Sequence, residues 1–98
     1  MASRTIANTA SELLPRNRLR RSMVVQNEDA TIDVFIKRER PSALTVSTTD
    51  HDHLLAAGSA IALNFGTDGT EAVQDRWTIV AASGTPRVSF FETEETVR

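Results

Sequence analysis

The apolar segments of this chain are all short, and that limits its fold more than any other feature. Met23-Val24-Val25, Ile32–Ile36, Ser42–Thr48, Ala60–Phe65, Arg76–Ala81 and Arg87–Thr93 are rich in β-branched and aromatic residues. Turn-forming residues close each one before a helical period can develop. Gln26-Asn27-Glu28-Asp29 is turn chemistry, because Asn and Asp tolerate left-handed dihedrals and bond their own backbone. Ser83-Gly84-Thr85-Pro86 is a second strong turn, and Gly66–Thr70 a loop. Leu44 and Val46 alternate with Thr45 and Ser47, and Ile61, Leu63 and Phe65 fall on one face. Such alternation indicates strands with one buried face, paired antiparallel. The only helical signal is a single turn over Glu71–Gln74. The expected fold is all-β: a small antiparallel β-sandwich or jelly roll of about seven or eight short strands.

At 98 residues the chain is one domain with a modest core. It contains no cysteine, so disulfides, thiolate metal sites and cysteine nucleophiles are excluded and the fold rests on apolar packing and β-ladders. Residues 1–12 are small, polar and weakly patterned. They read as a flexible N-terminal arm or a short edge strand at Thr5–Thr9, with the sandwich domain over residues 13–98. Leu13 and Leu14 are expected to plug one end of the core, and Trp77 to anchor it. No secretory signal core and no membrane-length apolar run is present.

Within the strand pattern, Arg18–Lys37 reads as a hairpin: Met23–Val25 and Ile32–Ile36 joined by the Gln26–Asp29 turn. Its two ends are basic. In register, Arg20 and Arg21 would lie beside Lys37 and Arg38, and Arg18, Arg20, Arg21, Lys37, Arg38 and Arg40 become the candidate partner-binding residues. The charge distribution is polar along the chain: residues 1–40 carry eight Arg or Lys against five Asp or Glu, net +3, and residues 41–98 carry three against eight, net −5. That asymmetry suits an oriented contact with a partner or with further copies of the chain. Without interleaved aromatics or a larger positive balance, it does not indicate nucleic-acid binding.

His51-Asp52-His53 is the one constellation that resembles a site. In an extended segment the two imidazoles share a face, but two histidines without cysteine leave a tetrahedral metal set incomplete. His51 and His53 are therefore weak metal candidates, which a symmetric oligomer could pool around an axis, and no cofactor is expected. With Asp52 and Asp68 they also form the alternative of a carbohydrate- or metal-binding loop. No serine lies in a nucleophile elbow, and Gly66 and Gly69 are too isolated for a phosphate loop. Enzymatic function is not expected.

The segment Leu13-Leu14-Pro15-Arg16-Asn17, then Arg20-Arg21, then Val24-Val25-Gln26-Asn27 resembles the opening of small β-sandwich proteins encoded among the structural genes of tailed bacteriophages. Ala57–Leu63, Trp77 and Phe90-Phe91-Glu92 extend the resemblance over residues 13–92. Lys37–Arg40 and His51–His53 depart from that pattern. The resemblance implies a non-enzymatic virion component: a capsid decoration or cement protein, or a fibre-base, tail or adaptor component. It also implies assembly in the host bacterial cytoplasm, the major capsid protein or other virion proteins as partners, and a homo-oligomer, with a trimer as one form.

Overall fold

The computed structural model of the protein describes residues 2–40, 42–64 and 69–94. Its strands are β1 (Ala2–Thr5), β2 (Ser11–Leu14), β3 (Arg20–Asn27), β4 (Val34–Arg38), β5 (His53–Leu55), β6 (Ala60–Asn64), β7 (Trp77–Ala81) and β8 (Arg87–Glu94), with one short helix, α1 (Thr70–Gln74), before β7. They form two four-stranded antiparallel sheets, ordered β1-β8-β3-β6 and β2-β7-β4-β5. The all-β sandwich expectation holds, and the strand order sharpens it. β1 pairs β8, β2 pairs β7, β3 pairs β6 and β4 pairs β5. The chain is one long hairpin, doubled back at residues 39–52 and rolled so that β3 also meets β8 and β4 also meets β7. This is the jelly-roll arrangement.

The inner faces of both sheets supply the core. Met23 and Val25 of β3 meet Ile79 and Ile36 of the opposite sheet in one buried cluster with Leu55, Leu63 and Val88. Trp77 is 2% exposed, as a core anchor should be, and its Nε1 donates to Ala72 O at 2.9 Å. Leu13 and Leu14 are both buried although they are neighbours in a strand. A register shift in β2 between Glu12 and Leu14 makes this possible, because an extra residue turns two successive side chains inward.

Three expectations are corrected. The β3–β4 hairpin does not form, because the two strands belong to different sheets. Gln26 and Asn27 remain in β3, opposite Ser89 and Val88. The turn chemistry works, but it carries the chain across the sandwich instead of back along one sheet. Asn27 Oδ1 accepts from Asp29 N at 3.1 Å, and its Nδ2 donates to Ile32 O at 2.8 Å and Leu55 O at 3.0 Å. Asp29 Oδ1 then accepts from the amides of Thr31 and Ile32.

Second, residues 1–12 contain no detached arm among the described residues. β1 is an edge strand, Ile6 is fully buried, and Ala7 O accepts from Ala81 N at 3.0 Å. A boundary at residue 12 would cut through β2.

Third, Ser42–Thr48 is not a strand; it is a loop with one bridge, Ser47 to Asp50. Val46 folds onto Phe35 and Val80, covering an apolar patch on the outer face of the second sheet. Alternation there records a cap, not a ladder. The expected Gly66–Thr70 loop lies largely outside the described residues, as does Phe65. Among the described residues no helix is long and apolar enough to cross a membrane.

Candidate functional site

The six basic residues singled out by sequence separate in space. Arg20 is wholly buried and serves the fold. Its Nη1 donates to Val73 O at 2.9 Å and Asp75 O at 3.0 Å, its Nη2 to Pro15 O at 2.6 Å, and its Nε pairs with Glu92. A buried guanidinium is tolerable only with such saturation, and its five N–H groups suit it to gathering carbonyls. By gathering these, Arg20 fixes the end of α1 against the β2–β3 connection. Backbone and side-chain bonds reinforce that junction: Asn17 N donates to Gln74 O at 2.9 Å, and Gln74 Nε2 to Arg18 O at 2.6 Å. Arg20 is therefore withdrawn from any surface patch.

Lys37 is likewise engaged. Its Nζ donates to Asp50 Oδ2 and Thr45 Oγ1 at 2.7 and 2.8 Å, holding the 42–50 loop onto β4. The hydrogen bond to Asp50, opposed by partial desolvation and helped by the charges of Asp50, Glu39 and Asp52, raises the lysine pKa above its ordinary 10.5. Beneath it, Glu39 is buried and accepts from Thr45 N at 2.8 Å, from Thr45 Oγ1, and from Thr78 Oγ1 at 2.6 Å. Burial works to raise the Glu39 pKa. The Thr45 and Thr78 hydrogen bonds, with Lys37 nearby, outweigh it and hold the carboxyl below its ordinary 4.5.

Arg38 and Arg40 do come together, with two arginines outside the six candidates. Arg16, Arg38, Arg40 and Arg76 line a cleft of about 280 Å³ together with Glu39 and Asp75. Arg76 forms one wall: its Nε donates to Glu12 Oε2 at 2.6 Å and its Nη1 to Arg40 O at 3.0 Å and Ala43 O at 2.5 Å. Arg38 reaches Asp75 at 3.4 Å, and its backbone N–H donates to Asp52 Oδ2 at 2.8 Å. Arg16 and Arg40 are exposed, and among the described residues neither is paired with a carboxylate. The lining thus holds four guanidinium groups against two carboxylates that the protein already uses. A carboxylate or phosphate-like group entering the cleft meets two open guanidiniums suited to bidentate bonds. Arg18 and Arg21 are exposed outside this lining. Arg16 opens the Arg16–Arg21 basic stretch and Arg76 stands alone in the sequence; only folding brings residues 16, 38–40 and 75–76 to one place.

A second cleft of about 300 Å³ lies across Arg38, lined also by Asp52, His53, Leu63, Ala72 and Trp77. His53 stacks obliquely on Trp77, ring centroids 5.9 Å apart, whereas His51 packs on Phe35 at 4.6 Å. His51 precedes β5, and Phe35 belongs to the outer-face cluster under Val46, while Trp77 belongs to the core. The two imidazoles therefore serve different faces of the second sheet and do not converge on an ion. Among the described residues, no group of three or more His, Cys, Asp or Glu could hold a metal. Asp68 lies outside the described residues.

Comparison with protein-family models, with curated proteins and with solved structures finds no match.

Proposed function

We propose that the protein is a non-enzymatic structural component of a tailed-bacteriophage virion, a capsid decoration or cement protein bound to the head surface in many symmetric copies. The observation that carries the reading is the eight-strand jelly roll formed by the described residues. Jelly rolls build viral shells, and they also build lectins and cupins, so architecture alone does not choose. The resemblance of Leu13–Asn27 to small phage β-sandwich proteins favours the virion. Its residues have architectural work in this chain: Leu13 and Leu14 close the core, Arg20 fastens α1, and Asn27 ties the crossover. The contact assigned to the head surface is the Arg16–Arg38–Arg40 cleft, receiving acidic side chains of the major capsid protein. Each contact is modest, and repetition over a lattice supplies the aggregate strength.

Cosedimentation of the purified protein with capsids of the parent phage tests this reading. Binding is expected, weakening as salt rises. The pair Arg16→Glu and Arg40→Glu should reduce affinity about tenfold or more at low salt without loss of fold. Absence of binding to capsids or tails at any salt rejects the proposal. A second reading, a sugar- or ion-binding module, draws on the cleft beside Asp52 and His53. Heat or a stability shift on titration with divalent ions or a glycan panel would favour it.

A further inference from the structure

Charge in the cleft lined by Arg16, Arg38, Arg40 and Arg76 does not balance within the protein. Asp75 offsets Arg38, Glu12 offsets Arg76, and Glu39 is held by Thr45, Thr78 and Lys37. Arg16 and Arg40 have no carboxylate partner among the described residues, so the cleft keeps two uncompensated positive charges. Guanidinium groups stay charged at every ordinary pH, and gathering four of them around one cleft costs mutual repulsion. An anion in the cleft relieves that cost.

The most buried of the four is held rigid and still has a donor to offer. Arg76 is 8% exposed, its Nε bonded to Glu12 and its Nη1 to Arg40 O and Ala43 O. Its Nη2 has no partner among the described residues. In that set Ser89 Oγ is the one buried side-chain polar atom without a partner, so Nη2 is open to solvent, and the cleft is the opening that Arg76 lines. A donor already fixed in place binds an acceptor without the ordering cost of a mobile side chain. Arg38 is held only by Asp75 at 3.4 Å, beyond the roughly 2.7–2.9 Å of a charge-assisted hydrogen bond, and can turn to a better acceptor.

Size and lining then select the ligand. Every described lining residue is charged, with no aliphatic or aromatic wall to take a hydrocarbon body or a base. Organic ligands ordinarily fill clefts of roughly 300–1,000 Å³ lined mostly by apolar side chains. This cleft, at about 280 Å³, lies at the bottom of that range and fits a compact, highly charged group. A carboxylate offers two oxygens in one plane and a single charge. A phosphate group offers three acceptor oxygens directed apart and close to two charges, which matches guanidiniums supplied from four positions of the chain.

We infer that the cleft is a phosphate site, for inorganic phosphate or the terminal group of a phosphomonoester. Arg76 Nη2 is the fixed donor, and Arg16, Arg38 and Arg40 close on the remaining oxygens. The inference uses the cleft described above and is independent of the virion reading, since the isolated protein and small anions suffice to test it.

Isothermal titration calorimetry at constant ionic strength and about pH 8, where a phosphate group is dianionic, is the test. Phosphate should bind saturably, one per chain, and about tenfold or more tighter than acetate. Glycerol 2-phosphate, run in parallel, separates the sources: tighter binding than phosphate assigns the site to monoesters, weaker binding to the free anion. Arg16→Gln and Arg40→Gln should each weaken binding, and the pair by about tenfold or more, with thermal unfolding in the absence of phosphate unchanged. Asp75→Asn frees Arg38 and keeps the carbonyl that Arg20 uses, so it should bind phosphate more tightly. Arg87→Gln removes an exposed charge at the opposite end of β8 from Glu94, the residue paired with Arg20, and should change nothing. No saturable heat with phosphate, equal affinity for acetate, a double variant that binds like wild type, weaker binding by Asp75→Asn, or an equal loss in Arg87→Gln overturns the inference.

Discussion

Glu39 keeps its charge in a place where burial works against it. The Thr45 and Thr78 hydroxyls and the Thr45 amide reward the carboxylate, so its folded-state pKa falls below the ordinary 4.5 of an unfolded chain. A depressed pKa contributes stability that is complete above the unfolded value and is lost as pH falls through the folded one. Asp29, whose carboxylate accepts from the amides of Thr31 and Ile32, is shifted from 3.8 in the same direction and adds to the same acid limb. Urea unfolding followed from about pH 6 to about pH 3 should therefore show a steep loss of stability below about pH 5. Glu39→Gln should be less stable than wild type at neutral pH and should lose less on acidification. Parallel curves for the two proteins would show that the carboxylate gains nothing from its hydroxyl partners.

Among the elements, the 39–52 connection departs furthest from what its sequence suggests. Its alternating residues have the pattern of a strand, but Val46 is buried as a lid on Phe35 and Val80, and Lys37 bonds Thr45 and Asp50 to hold the lid closed. Val46→Asp places a carboxylate on that patch and should cost about 2–4 kcal/mol in urea unfolding, the range for an unpaired charge forced against apolar surface. A near-neutral effect would mean the loop lifts away without consequence. The same element shows why some features were legible and others were not. β6, β7 and β8 could be read directly, because their apolar residues face a core and turn residues bound them. Trp77 could be placed for the same reason. Pairing partners could not be read: Asn27 and Asp29 make the same local bonds whether the chain returns along one sheet or crosses to the other. The basic cleft was half legible. Arg38 and Arg40 stand in a visible charge run, whereas Arg16 belongs to a different basic stretch and Arg76 to none, and both join them only through the fold. Arg20 was misplaced because a fully saturated buried guanidinium has the same sequence appearance as an exposed one.

For the whole molecule, the rolled-hairpin topology sets an order of loop closure. Of the strands that pair, β4 and β5 are the nearest in sequence, with Ile36 opposite His53, and β1 and β8 the furthest apart, with Ala2 opposite Phe90. Loop-closure entropy grows with the separation that must be closed, so zipping outward from the 39–52 tip is the least costly route, and each pair shortens the effective loop for the next. In the unfolded chain, β1–β8 pairing has the largest entropic cost and therefore comes last. Leu55 in β5 and Ile6 beside β1 are both buried and belong to one core, which makes them a matched pair of probes. Leu55→Ala and Ile6→Ala should each destabilise by roughly 2–5 kcal/mol, well above what φ analysis requires. Stopped-flow chevrons should separate them: Leu55→Ala slows folding, and Ile6→Ala leaves the folding limb almost unmoved and speeds unfolding. The reverse assignment, with Ile6 formed and Leu55 unformed in the transition state, would mean that the sandwich condenses around its joined ends and that the hairpin tip closes only afterwards.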